Sequence, residues 1–112
     1  VLFGDGFQKR ELIYIDDFIN TLLVISMQIN NDIVNIGSGS DHTIRDFAKI
    51  CCKIIGVDHN EIKYDENEYV GLKSKVLDIT KIQKLYDLKS RQINLQKGIE
   101  KTIKWYQSKN HL

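Results

Sequence analysis

The sequence predicts an α/β fold, a small mixed sheet of short strands covered by about four helices. Short β-prone runs, such as Glu11–Ile15 and Asp32–Ile36, alternate with stretches whose apolar residues recur at helical spacing. Glycine turns, Gly4-Asp5-Gly6 and Gly37-Ser38-Gly39, punctuate the strand readings. Helix-start signals stand ahead of the periodic stretches, the clearest being Thr43 with Asp46 three residues later. At 112 residues the chain fits one small domain, residues 1–112.

Taken in order, Val1–Phe3 read as a strand end and the first glycine turn follows. Glu11–Ile15 read as a second strand, closed by Asp16-Asp17, with Asp17 the expected N-cap of a helix running to about Ile29. That helix is apolar around most of its circumference, through Phe18, Ile19, Leu22, Leu23, Val24, Ile25, Met27 and Ile29. Such a helix is expected to be buried nearly all round, which a small domain struggles to provide. Asp32–Ile36 form the third expected strand. The second helix then carries its stripe on Ile44, Phe47, Ala48, Cys51, Ile54 and Ile55, with Gly56 as its C′ residue. A short strand over Glu61–Tyr64 and a polar loop over Asp65–Ser74 come next. Asp78 is expected to cap a short helix to about Tyr86. Asn94 caps the last helix, whose end from Lys109 to Leu112 is expected to fray.

Composition narrows the function classes. Sixteen basic and fifteen acidic residues leave a net charge of +1, which offers no general nucleic-acid footprint. No apolar run approaches the ~18 residues that a bilayer requires. The adjacent Cys51 and Cys52 diverge on a helix, one more buried than the other, and fit a reduced, cytoplasmic setting rather than a disulfide. The chain opens at Val1 on what reads as a strand tail, so it is expected to be a piece of a longer protein.

Several catalytic patterns fail on physical grounds. Gly37-x-Gly39 has His42 where a dinucleotide fingerprint needs its third glycine, so no cofactor site is assigned. Tyr69-x-x-x-Lys73 has dehydrogenase spacing, but Gly71 sits between them in a segment without helical periodicity. Ser38, Ser40, Asp41 and His42 lie too close together for a nucleophile–base–orienter line. His42, His59 and His111 are scattered without metal spacing, so no metal is assigned. What survives is phosphate binding. Arg10 follows the glycine turn beside a strand, and its planar fork matches phosphate oxygens, while Lys73 and Lys75 add point charge.

Four segments, in order, resemble the extended short-chain dehydrogenase/reductases that act on nucleotide sugars, the NAD-dependent epimerase/dehydratase family. They are Phe3-Gly4-Asp5-Gly6 through Arg10-Glu11-Leu12-Ile13-Tyr14-Ile15-Asp16-Asp17, Asn35-Ile36-Gly37-Ser38-Gly39 with Thr43-Ile44, Lys75-Val76-Leu77-Asp78 with Thr80-Lys81, and Gly98-Ile99 through Trp105-Tyr106. Among such enzymes GDP-fucose synthases look most alike. The resemblance covers the C-terminal, substrate-binding part of the fold. It implies that the N-terminal Rossmann cofactor domain, with its glycine-rich turn and helical Tyr-x-x-x-Lys, is absent here, and that this piece alone does not turn over.

The resemblance also implies roles. Phe3 matches an aromatic that packs near the nucleotide base, and Arg10 matches the arginine that grips the diphosphate. Asn35 falls where relatives place a polar contact near the phosphates, and Lys75 matches a cation completing the substrate site. The implied ligand is a nucleoside-diphosphate sugar, and NAD or NADP serves the intact enzyme. The chain departs from the pattern at Tyr69-Val70-Gly71, where the family often has Pro-Asp-Gly, at Ser74, where many have arginine, and at Asp87-Leu88. With the cofactor lobe absent, the bare face of the Asp17–Ile29 helix is expected to drive self-association. The competing expectation is a stand-alone α/β binding module without catalytic activity.

Overall fold

The computed structural model describes residues 1–110; His111 and Leu112, the end of the segment expected to fray, lie outside the described residues. In chain order the elements are β1 (Leu2–Phe3), β2 (Lys9–Arg10), α1 (Ile15–Ser26), β3 (His42–Thr43) and α2 (Ile44–Ile55). A 3-10 turn (His59–Glu61), β4 (Tyr64–Asp65), β5 (Ser74–Lys75), α3 (Thr80–Leu85), the single-turn α4 (Leu88–Arg91) and α5 (Leu95–Asn110) complete the chain. This is the expected mixture of short strands and helices. The strands form two small sheets, a parallel pair β1–β4 and a mixed triplet in the order β3-β2-β5. The chain forms two compact units: Val1–Arg10 with Asp41–Val76, and Glu11–Ser40 with the residues from Leu77 onward.

The first unit is built on both sheets and α2. The α2 start is the expected capping box, in which the Asp46 backbone N–H donates to the Thr43 hydroxyl and the Thr43 backbone N–H donates to the Asp46 carboxylate. Gly56 ends the helix in the left-handed region at φ 79°, the conformation that favours glycine at C′. Cys52 is buried and Cys51 only partly so, and burial pushes the Cys51 thiol pKa up. Of the expected stripe, Ile44, Phe47, Ala48, Cys51 and Ile54 are half-buried and Ile55 is exposed, and Cys52, outside that stripe, is the most buried residue of the helix. The strand expected over Glu61–Tyr64 is realised as the 3-10 turn followed by β4, and β5 ends the loop expected over Asp65–Ser74.

The second unit holds a core of Ile25, Ile79, Ile82 and Leu88, with Ile29, Val34, Ile36 and Tyr86 packed against it. Two expectations are corrected here. Glu11–Ile15 is not a strand, for β2 stops at Arg10 and α1 already begins at Ile15. Asp17 does not cap α1, because its carboxylate accepts the Ile93 backbone N–H at 2.9 Å. Asp32–Ile36 is likewise not a strand among the described residues. A strand exists only where a neighbour supplies the ladder. Side chains tie these segments instead, Glu11 Oε1 accepting from Leu77 N and Asn35 Nδ2 donating to the Asp78 carbonyl. Asn94 acts as expected, taking the Lys97 backbone N–H at the start of α5, and Asp87 does the same for α4. The N-cap position of α3 is instead Ile79, and Asp78, one residue earlier, accepts the Thr80 backbone N–H in a turn that leads into the helix. The Thr80 hydroxyl and backbone N–H hold the Asp78 carboxyl below its usual pKa.

On α1 the burial is one-sided. Thr21 and Ile25 are buried, whereas Ile19, Leu22, Leu23 and the C-cap residue Met27 are exposed, Leu23 at 58%. The all-round burial expected of this helix is not met within the chain.

Candidate phosphate and base site

Three of the four nominated side chains fall in the first unit, on β1, β2 and β5. Parallel pairing of β2 with β5 sets Lys9 opposite Ser74 and Arg10 opposite Lys75, so the two cations stand in register on adjacent strands. The Lys9 backbone N–H donates to the Lys73 carbonyl at 2.7 Å, anchoring that ladder. On the other side of β2, Arg10 pairs with His42 and Lys9 with Thr43. The Lys9 ammonium lies 3.1 Å from the Asp41 carboxylate, whose pKa it holds below the usual value.

Arg10 is half-buried and makes three hydrogen bonds to backbone carbonyls. Nη1 donates to Lys9 O at 2.7 Å and to Leu72 O at 3.0 Å, and Nη2 donates to Val70 O at 3.2 Å. A guanidinium has five N–H donors in a rigid fork. Two of them clamp the Val70–Leu72 segment, the third turns back to Lys9, and Nε–H with one Nη2–H remains. Lys75 is exposed, as an anion-facing cation must be.

Phe3 ends β1, which pairs with β4 so that Phe3 stands opposite Asp65. Its carbonyl accepts the Gln8 amide at 3.2 Å, while its ring is left 60% exposed. Beside it lies a hollow of about 340 Å³, lined by Leu2, Phe3, Gln8, Ile44, Tyr69 and Val70. Gly4, at φ +76°, packs against the Val70 side chain so closely that a Cβ there would collide with it. The Val70 carbonyl is the one that Arg10 holds, so the hollow and the arginine share a wall. Asn35 belongs to the second unit, and its amide is engaged with the Asp78 carbonyl at 3.0 Å.

Sequence reasoning missed Arg45. Its guanidinium lies 4.5 Å from the centre of the Phe7 ring and 4.1 Å from that of Tyr64, and Nε donates to the Asp5 carbonyl at 2.7 Å. The Arg45 backbone N–H donates to the Gly6 carbonyl. This one residue fastens the Gly4–Phe7 turn, which joins Phe3 to Arg10, onto α2 and β4. Gly6 is needed beneath it, for at φ +76° a Cβ would come within 2.5 Å of the Tyr64 ring and 2.8 Å of the Arg45 side chain. An arginine in a helix's first turn, with aromatics near a glycine turn, was the available signal.

The rejected motifs have structural explanations. The segment from Tyr69 to Lys73 is not helical, so those two residues do not occupy successive helical turns. The Gly37–Gly39 turn takes in the chain's own side chains: a Cβ on Gly37 would meet Glu11 Oε1 at 2.6 Å, and one on Gly39 would collide with Ile79. At both positions the absent Cβ leaves room for the packing of the chain's own side chains. Among the described residues no His, Cys, Asp and Glu group is placed to hold a metal, and no helix is long and apolar enough to cross a membrane.

No protein-family model matches the chain. Individual relatives do. It is 31% identical over 110 residues to GDP-L-colitose synthase of Yersinia pseudotuberculosis, covering 94% of this chain and 34% of that enzyme. It is 26% identical to GDP-L-fucose synthase of Escherichia coli, covering 95% of this chain and 35% of the relative. The fold superposes on UDP-glucose 4-epimerase of Thermotoga maritima, solved with UDP-glucose, with a TM-score of 0.81 and 27% identity, over 96% of this chain and 34% of that one. UDP-glucuronic acid 4-epimerase of Bacillus cereus, solved with NAD, gives 0.69 at 28% identity, over 88% and 30%. The class to which the chain is similar is thus that of enzymes acting on nucleotide sugars. More particularly, it is similar to GDP-fucose and GDP-colitose synthases and to NAD-dependent nucleotide-sugar epimerases, and it spans about a third of the length of the relatives it matches.

Proposed function

We propose that this chain is the C-terminal, substrate-binding part of a nucleotide-sugar epimerase, reductase or dehydratase, and that its first unit binds the diphosphate of a nucleoside-diphosphate sugar. The observation that carries the reading is the register of Arg10 with Lys75, beside a hollow that includes Phe3. Arg10 is oriented by the carbonyls it holds, so its two remaining donors lose little freedom on meeting an anion. Those donors match two phosphate oxygens, and Lys75 supplies a second positive charge for the diphosphate. Phe3 offers an exposed ring to the base. Asn35, as it stands, braces the start of α3, so its contact to phosphate is the least supported of the four roles.

NAD or NADP supplies hydride transfer in such enzymes, and no residue of this chain is assigned to hold it. A Rossmann domain is the partner that the reading requires, and this chain alone is expected to bind without turnover. Titration with GDP, UDP and dTDP by calorimetry tests the proposal. At least one should bind, and Arg10→Ala should weaken it roughly ten- to a hundredfold, the loss of charge-assisted contacts of about 1.5–3 kcal/mol. Equal binding by wild type and variant removes Arg10 from the site.

A further inference from the structure

We propose that Tyr69 forms, together with Phe3, an aromatic slot for the nucleobase, which makes Tyr69 a specificity-determining side chain of the site described above. The inference rests on that site's binding a nucleoside diphosphate. Both residues line the same hollow, and both are left to water, Phe3 at 60% and Tyr69 at 91% exposure. The rest of the lining is largely aliphatic, with Leu2, Ile44 and Val70 beside them.

Tyr69 stands on a segment whose position is fixed. Its neighbour Val70 packs against Gly4 on one side and gives its carbonyl to Arg10 on the other. An aromatic ring held beside an anchored residue, yet without packing of its own, presents a flat apolar surface at low conformational cost. The occupant is set by what adjoins the slot. Through Val70 the hollow abuts Arg10, and Arg10 is in register with Lys75. A flat heteroaromatic ring carrying a diphosphate satisfies both parts at once, with the ring on the aromatics and the phosphates on the cations. A peptide or an aliphatic ligand leaves the cations without a counterpart. Stacking accepts any base, because every base has a π face, so Tyr69 discriminates nucleotides from base-free diphosphates rather than one base from another.

The 112-residue chain and its variants Tyr69→Ala, Tyr69→Phe and Arg10→Ala are titrated with GDP, UDP and inorganic pyrophosphate. Tyr69→Ala should weaken GDP and UDP roughly fivefold to a hundredfold, the range expected for removing one base–aromatic stack. Pyrophosphate binding should not change, and Tyr69→Phe should stay close to wild type. Arg10→Ala should weaken all three ligands. If Tyr69→Ala binds GDP as wild type does while Arg10→Ala does not, the aromatic slot is overturned and the diphosphate site stands. Equal weakening of pyrophosphate by Tyr69→Ala also overturns the slot. Failure of the wild-type chain to bind any of the three overturns both readings.

Discussion

Replacing Arg45 is the sharpest test of how the site is held in place. The guanidinium sits 4.5 Å from one ring centre and 4.1 Å from another, and its Nε donates to the Asp5 carbonyl at 2.7 Å. Each partly exposed cation–π contact contributes about 0.5–1 kcal/mol, and the charge-assisted hydrogen bond about 1.5 kcal/mol before solvent competes for the freed carbonyl. With Arg45 only half-buried, Arg45→Ala should therefore lower the unfolding free energy by about 2 kcal/mol, a large share of the roughly 5–15 kcal/mol typical of a domain. Arg45→Lys keeps the charge but loses the plane that lies against both rings, so it should recover less than half of the loss. Urea unfolding followed by circular dichroism measures both variants, and a double-mutant cycle with Tyr64→Leu should return a coupling of about 0.5–1 kcal/mol. An Arg45→Ala midpoint equal to that of wild type at unchanged slope, or a coupling of zero, would refute the argument that this residue fastens the turn.

Two other outcomes are expected. The Asp46 carboxyl is held below its usual pKa, first by the Thr43 hydroxyl and then by the Thr43 backbone N–H, so its contribution to folding is complete above about pH 4 and is lost as the pH falls through the lowered value. Helicity in an acid titration should accordingly fall more steeply for wild type than for Asp46→Asn, and superimposable curves would discard the coupling. Exposure of Ile19, Leu22, Leu23 and Met27 along α1 should make the chain associate as concentration rises in sedimentation experiments, with Leu23→Lys shifting it toward monomer. A wild-type chain that stays monomeric throughout the range contradicts this.

What the sequence disclosed depended on how local the cause was. The capping box of α2, the left-handed Gly56 and the Asn94 cap are settled within a few residues, and all were readable. Glu11–Ile15 and Asp32–Ile36 have strand composition, yet strand formation depends on a partner elsewhere in space, and side-chain bonds from Glu11 and Asn35 occupy these segments instead. Asp17 had the chemistry of a cap, but its carboxylate was claimed by Ile93, far along the chain. The register of Arg10 with Lys75 depends likewise on distant pairing, although the family pattern had singled out both residues. Arg45 escaped notice because its two rings, Phe7 and Tyr64, meet it only through the folded turn.

The three carbonyls around Arg10 have an electrostatic effect as well as a mechanical one. Their oxygen ends point toward the cation, so their dipoles oppose its field, and a distant anion senses less positive potential than the formal charge would give. Capture of a diphosphate at this place then relies on short-range geometric match more than on long-range attraction. Added salt should accordingly slow its arrival only modestly, since screening acts most strongly on charges that interact across solvent.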